Sequence, residues 1–129
     1  VGSVYQQLIG ECRRRQCGTF LHSDGRILEI IPDLADYGLN VINAQYRANS
    51  LEGLVEVAKG RLCVHLDLDR QLFPFATPAQ LREHVLTWVA AMDDPRGGLT
   101  LSCEIGPDVT PENVDALLSV LEEVGGPWM

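Results

Sequence analysis

Four times along this 129-residue chain, a short apolar run gives way after a turn to a stretch with apolar residues at helical spacing. The runs are Thr19 to His22, Leu39 to Asn43, Leu62 to Leu66 and Leu99 to Cys103. The helical stretches that follow carry Ile27, Ile30, Ile31 and Leu34; then Leu51, Leu54, Val55 and Ala58; then Leu81, Val85, Trp88, Val89 and Met92; and last Val114, Leu117, Leu118, Leu121 and Val124. Strands that alternate with helices pair in parallel through right-handed crossovers, so the strand C-termini share one edge. The fold class is therefore α/β, with four consecutive βα units. A further helix, over residues 3–15, opens the chain, with Val4, Tyr5, Leu8, Ile9 and Cys12 on its apolar stripe.

The punctuation agrees with this division. Thr77-Pro78-Ala79-Gln80 has the N-cap hydroxyl, first-turn proline and glutamine of a capping box, and Thr110-Pro111-Glu112-Asn113 repeats the logic. Gly38 and Gly60 stop the second and third helices, Gly125-Gly126-Pro127 closes the last, and Pro32 is expected to kink its helix.

Charge is uneven. Residues 1–64 carry seven basic and seven acidic side chains, whereas residues 65–129 carry three and eleven, so the net charge of −8 arises in the second half. Such a surface repels phosphate backbones and anionic lipid, which argues against nucleic-acid and membrane partners. No apolar stretch approaches the ~20 residues of a membrane span. The four cysteines (Cys12, Cys17, Cys63, Cys103) form no CxxC pair, and reduced thiols in the cytoplasm are the expectation.

Parallel α/β sheets place their chemistry at the strand C-termini. Those positions hold His22-Ser23-Asp24-Gly25, Asn43-Ala44-Gln45, Asp67-Leu68-Asp69-Arg70 and Cys103-Glu104 through Asp108. Asp67 and Asp69 read as a catalytic acid/base pair or, equally, as loop caps, because residues two apart share a face only while the strand stays extended. Asn43, Gln45 and Arg70 are candidate substrate ligands, with turn chemistry the alternative for Asn43. His65 points into a barrel or is a hydrogen-bonded core residue, His84 belongs to a solvated helix face, and Trp88 and Met92 are core.

These strand ends resemble the uroporphyrinogen decarboxylase family, which includes the cobamide-dependent methyltransferases. The shared markers are His22-Ser23-Asp24-Gly25, Asp36 to Asn43, Asp67-Leu68-Asp69, Thr77-Pro78 and, most specifically, Pro107-Asp108-Val109-Thr110-Pro111-Glu112-Asn113-Val114. The resemblance implies the C-terminal half of a TIM (β/α)8 barrel with an additional N-terminal helix, so that residues 1–129 form a single partial domain. This agrees with a length about half the roughly 250 residues of a closed barrel.

For function, the resemblance implies a small-molecule enzyme of porphyrin or methyl-transfer metabolism, with a zinc-dependent corrinoid/thiol methyltransferase-like activity the first expectation and a decarboxylase-type lyase the alternative, since Cys103 stands where the decarboxylase branch usually has a histidine. In its methyltransferase branch, zinc would fall to His22, Asp24 (where the family has Cys) and Cys103, with a corrinoid as co-substrate. In its decarboxylase branch, the substrate is a tetrapyrrole polyanion, for which Asp24, Asp67, Asp69, Glu104 and Asp108 make an unfavourable mouth. The expected partners are the other, N-terminal half-barrel or a second copy forming a two-fold dimer. The isolated chain would then be inactive or serve as a non-catalytic assembly unit, and collapse into a flavodoxin-like sandwich is the remaining alternative.

Overall fold

A computed structural model of the chain describes residues 2–125. The order of elements is α1 (Gly2–Arg14), β1 (Phe20–Ser23), α2 (Ile31–Tyr37), β2 (Val41–Ala44), α3 (Tyr46–Asn49), α4 (Leu51–Ala58), β3 (Cys63–Asp67), α5 (Pro78–Met92), β4 (Leu99–Ser102) and α6 (Pro111–Gly125). The helix stop at Gly126 and Pro127 lies outside the described residues.

The four strands form one parallel sheet in the order β1-β2-β3-β4. A doubly wound, flavodoxin-like sheet reverses its strand order part-way and so covers both faces. Here the order never reverses, and successive right-handed crossovers put every helix on the same face, which overturns the sandwich alternative. The helices form a continuous layer: α1 packs on α2, α2 on α4, α4 on α5 and α5 on α6. This is the half TIM-barrel expected from the sequence.

Side-chain alternation shows which face is covered. Ile42, Val64 and Leu66 are fully buried under the helices together with Leu34, Leu54, Phe73, Leu81, Val85, Trp88 and Leu117. The register aligns Phe20, Val41 and Cys63 on the other face, with His22, Asn43, His65 and Thr100 one step further on, then Asp67 and Ser102 at the C-terminal edge. Phe20 is 58% exposed there, and Asn43 is the only buried residue of this row.

Local differences from the sequence reading have identifiable causes. Pro32 does not kink a helix; it stands in the first turn of α2, where its missing N–H costs nothing, and residues 28–30 form the preceding turn. The one-turn α3 appears between Gln45 and Ser50, and Ser50 then caps α4 by accepting from Gly53 N at 3.1 Å. The capping box of α5 forms as expected: Gln80 N donates to Thr77 Oγ1 and Thr77 N to Gln80 Oε1. On α1 only Ile9 is buried, while Val4 and Leu8, expected on the packed stripe, are 57% and 60% exposed. Leu118 on α6, also expected inward, is exposed.

Candidate functional site

The uncovered face carries a hydrogen-bonded chain that crosses all four strands. From β2, Asn43 Nδ2 donates to the His65 carbonyl at 2.9 Å and to Asp67 Oδ2 at 3.1 Å. Both partners are acceptors, so the amide orientation is fixed and Asn43 Oδ1 faces β1, where it lies 2.5 Å from His22 Nδ1. An amide oxygen can only accept, which makes Nδ1 the protonated nitrogen of His22. The other ring nitrogen, Nε2, lies 3.2 Å from Asp24 Oδ1, and Gln45 Nε2 donates to that same oxygen at 3.2 Å.

The chain continues to β4. Ser102 Oγ donates to Asp67 Oδ1 at 2.5 Å and is 3.2 Å from His65 Nε2, while His65 Nδ1 is 2.8 Å from Thr100 Oγ1. A hydroxyl has one proton, and Ser102 spends it on the carboxylate; His65 Nε2 is then the donor to Ser102, and Thr100 the donor to Nδ1. Phe20 packs edge-on against the His65 ring, with centroids 5.6 Å apart.

These contacts set the charge states. The bond to Asn43 raises the His22 pKa above its ordinary 6.5, against a smaller opposing effect of burial and with help from Asp24 and Asp67. For Asp67, burial pushes the carboxyl upward, but the donors Ser102 and Asn43 and the nearby His65 and His22 together outweigh it, so the net direction is down. The site thus pairs an ionised carboxylate with an imidazole whose protonated form is favoured by its neighbours.

Asp69 is placed elsewhere. β3 ends at Asp67, the chain turns, and the Asp69 carboxylate is buried beneath Arg47 of α3, which reaches it with Nε at 3.1 Å and Nη2 at 2.6 Å. Asp67 and Asp69 therefore do not face one another as a pair. Arg70 forms an ion pair with Glu104, joining the loops that follow β3 and β4. Gln45 bonds Asp24 and caps the loops through its carbonyl, which accepts from the buried Asn49.

The three candidate metal donors are divided. His22 and Asp24 adjoin at one edge of the sheet, on its uncovered face. Cys103 follows β4 at the other edge, three interstrand spacings or about 14 Å away, and its half-buried thiol packs against the core under the helices, where burial pushes its pKa up. Among the described residues, no three His, Cys, Asp or Glu side chains stand together as a metal site. The arrangement does not fit zinc held jointly by His22, Asp24 and Cys103.

Sequence reasoning missed Ser102, Thr100, Arg47 and His84. His84 is not simply a solvated surface residue: it is half-buried, and its Nε2 accepts from Asp69 N at 3.3 Å. The period-two alternation with His65 and Asp67 across the β3–β4 register carried the signal for Thr100 and Ser102. The Thr110 to Asn113 motif proves to be scaffolding. Thr110 accepts from Asn113 N, and buried Asn113 donates to the carbonyls of Phe73 and Ala76, anchoring the long loop after β3.

An unreversed parallel sheet with helices on one side, and polar side chains gathered at its C-terminal edge, defines a half-barrel of the (β/α)8 class. The chain belongs to the uroporphyrinogen decarboxylase family: the model of that family, described as uroporphyrinogen decarboxylase (URO-D), matches residues 1–124. No curated protein matches the chain. No helix among the described residues is long and apolar enough to cross a membrane.

Proposed function

We propose that this half-barrel supplies the acid/base side of a decarboxylase-type site, in which His22 delivers a proton and Asp67 is the fixed carboxylate that orients the polar chain around it. The observation that carries this reading is the continuous path His22–Asn43–Asp67–Ser102–His65 across the open face of the sheet. In decarboxylation, the bond from the side-chain carbon to the carboxylate breaks, the carbon keeps the electron pair, and CO2 leaves. A proton from His22 Nε2 then completes the new C–H bond, and solvent reprotonates the ring. General acid catalysis of this kind contributes roughly 10²–10⁴ in rate.

The acidic mouth is less hostile to a carboxylate-bearing substrate than its residue count suggests. Asp69 is matched by Arg47, Glu104 by Arg70, and Asp24 lies against His22. Asn43, Gln45 and Arg70 remain the substrate-facing candidates at the same edge. Zinc-dependent methyl transfer to a corrinoid would need Cys103 beside His22 and Asp24, and zinc content of the reduced protein distinguishes the two readings. The proton-transfer reading expects no stoichiometric zinc lost on His22→Gln or Cys103→Ser.

Closure of the barrel follows from counting helices. Four strands have three gaps between neighbours, yet five helices form the layer, since α1 lies outside α2 and α6 outside α5. A second copy would bring α6 of one chain and α1 of the other to the same place beside the β4–β1 junction. A complement with four strands and three helices meets no such conflict, so an N-terminal half-barrel is the proposed partner in preference to a second copy. The exposed Val4 and Leu8 on α1 and Phe20 on the sheet are apolar surface for it to cover. Light scattering should then find the chain at its 14.2 kDa monomer mass; a stable dimer would refute this closure. The site reading is tested by titrating uroporphyrinogen into the labelled chain joined with its complement. Shifts at His22, Asn43, Asp67 and Ser102 support it, and shifts confined to the outer helical surface overturn it.

A further inference from the structure

The loop that leaves the mouth after Asp67 is held from behind by a second set of contacts, which the proton path above does not use. Every polar group of Asp69 is engaged. Its carboxylate takes both Arg47 bonds and one from Gln71 N at 3.2 Å, its carbonyl accepts from Leu72 N at 2.9 Å, and its N–H donates to His84 Nε2 at 3.3 Å. Three elements meet there: α3 through Arg47, the β3 loop through Asp69, and α5 through His84. One residue earlier, Leu68 N donates to the Ser102 carbonyl at 2.8 Å, so this loop is continuous with the residues that set Asp67.

The bond to His84 exists in only one protonation state. Nε2 accepts, so the ring must be neutral with its proton on Nδ1; an imidazolium has no acceptor. Burial lowers the His84 pKa from 6.5, only partly offset by the Asp69 charge, so the neutral ring is the form present at neutral pH. The groups that face it are the Tyr46 ring, 6.0 Å away by centroid, and the Arg47–Asp69 pair, with Glu52 from α4 and Glu83 on its own helix lining the same cleft. That cleft, of about 500 Å³ on the outer side between α4 and α5, gives water access to the ring.

We propose that His84 is a positioning residue, a proton-sensitive latch whose neutral imidazole holds the Asp69 N–H and with it the loop that follows Asp67 at the mouth. On protonation the latch loses its acceptor, and the new positive charge competes with Arg47 for the Asp69 carboxylate. The link between this latch and catalysis rests on the decarboxylase-type reading above; the latch itself needs no substrate.

The test is amide hydrogen exchange of the intact chain, followed by NMR from about pH 7.5 to about pH 4, a span that runs from above to well below the ordinary imidazole midpoint of about 6.5. In the wild type, the protection factor of the Asp69 amide should fall about fivefold to tenfold across this span, the effect of losing one hydrogen bond. His84→Gln keeps an amide oxygen able to accept from Asp69 N and removes the titration, so its Asp69 protection should stay flat. His84→Leu should show the low-pH behaviour throughout. A flat wild-type profile, or a fall of equal size in His84→Gln, overturns the latch. Because the readout is an amide and not turnover, this failure is distinguishable from a failure of the decarboxylase reading, which is decided by CO2 release.

Discussion

Ser102 Oγ on β4 lies 2.5 Å from Asp67 Oδ1 on β3, a bond made across the register pair that ends the sheet at its C-terminal edge. It fixes the serine as a donor to the carboxylate, and therefore as an acceptor from His65. Together with Asn43 it holds Asp67 ionised. Ser102→Ala should consequently raise the Asp67 midpoint, which ¹³C-detected carboxyl titration reads directly. A midpoint that stays the same or falls would remove Ser102 from the site.

Asn113 predicts a stability effect. Its buried amide donates to Phe73 O and Ala76 O, at 2.7 and 2.9 Å, and Asn113→Ala leaves both carbonyls without that donor. The expected cost is about 2–3 kcal/mol in denaturant unfolding, in the range for unsatisfied buried polar groups. Asn113→Asp should cost more, because it turns an acceptor toward two carbonyls. A loss below about 0.5 kcal/mol, the usual size of a surface change, would contradict this role.

Acid stability should carry the imprint of Asp94. Hydrogen bonds from the Arg96 side chain and backbone pull its pKa down from 3.8 to about 2. A folded-state pKa below the unfolded one contributes stability above the unfolded value and loses it as pH falls toward the folded value. Wild type should therefore be more stable than Asp94→Asn by a constant margin at neutral pH, with the margin shrinking between about pH 4 and about pH 2. Thermal melts across that range check it; a margin that grows on acidification would contradict the pairing.

His84 supplies a second pH-dependent contribution of the same sign. Its folded-state pKa lies below 6.5, so the unfolded chain takes up a proton first, and stability conferred by the neutral ring is lost as pH falls below 6.5. Melting temperature should drop more steeply below that pH in wild type than in His84→Gln, and parallel curves would exclude the contribution.

Most of the architecture was legible because it rests on periodicity and caps. The alternation of runs and helical stretches, Thr77 with Gln80, and the buried Trp88 and Met92 all follow from local chemistry. What was not legible depends on where a strand stops. Asp67 and Asp69 share a face only if β3 continues, and it ends at Asp67, which sends Asp69 to Arg47. Cys103 falls one residue beyond Ser102 and so on the other side of the sheet from Thr100 and Ser102. His84 looked solvated because its partner is a backbone N–H fifteen residues away, which side-chain patterning does not report. Val4 and Leu8 fit an apolar stripe, but of α1 only Ile9 is buried, a distinction that spacing alone does not report.

Proton transfer through the proposed His22–Asn43–Asp67 path is measured by CO2 release from uroporphyrinogen, with the chain closed by its complementary half. Turnover should fall by about 100-fold or more in His22→Gln, the size of a lost general acid, with a comparable loss in Asp67→Asn. Turnover in both variants at the wild-type rate, or none from the closed wild-type barrel, would contradict it.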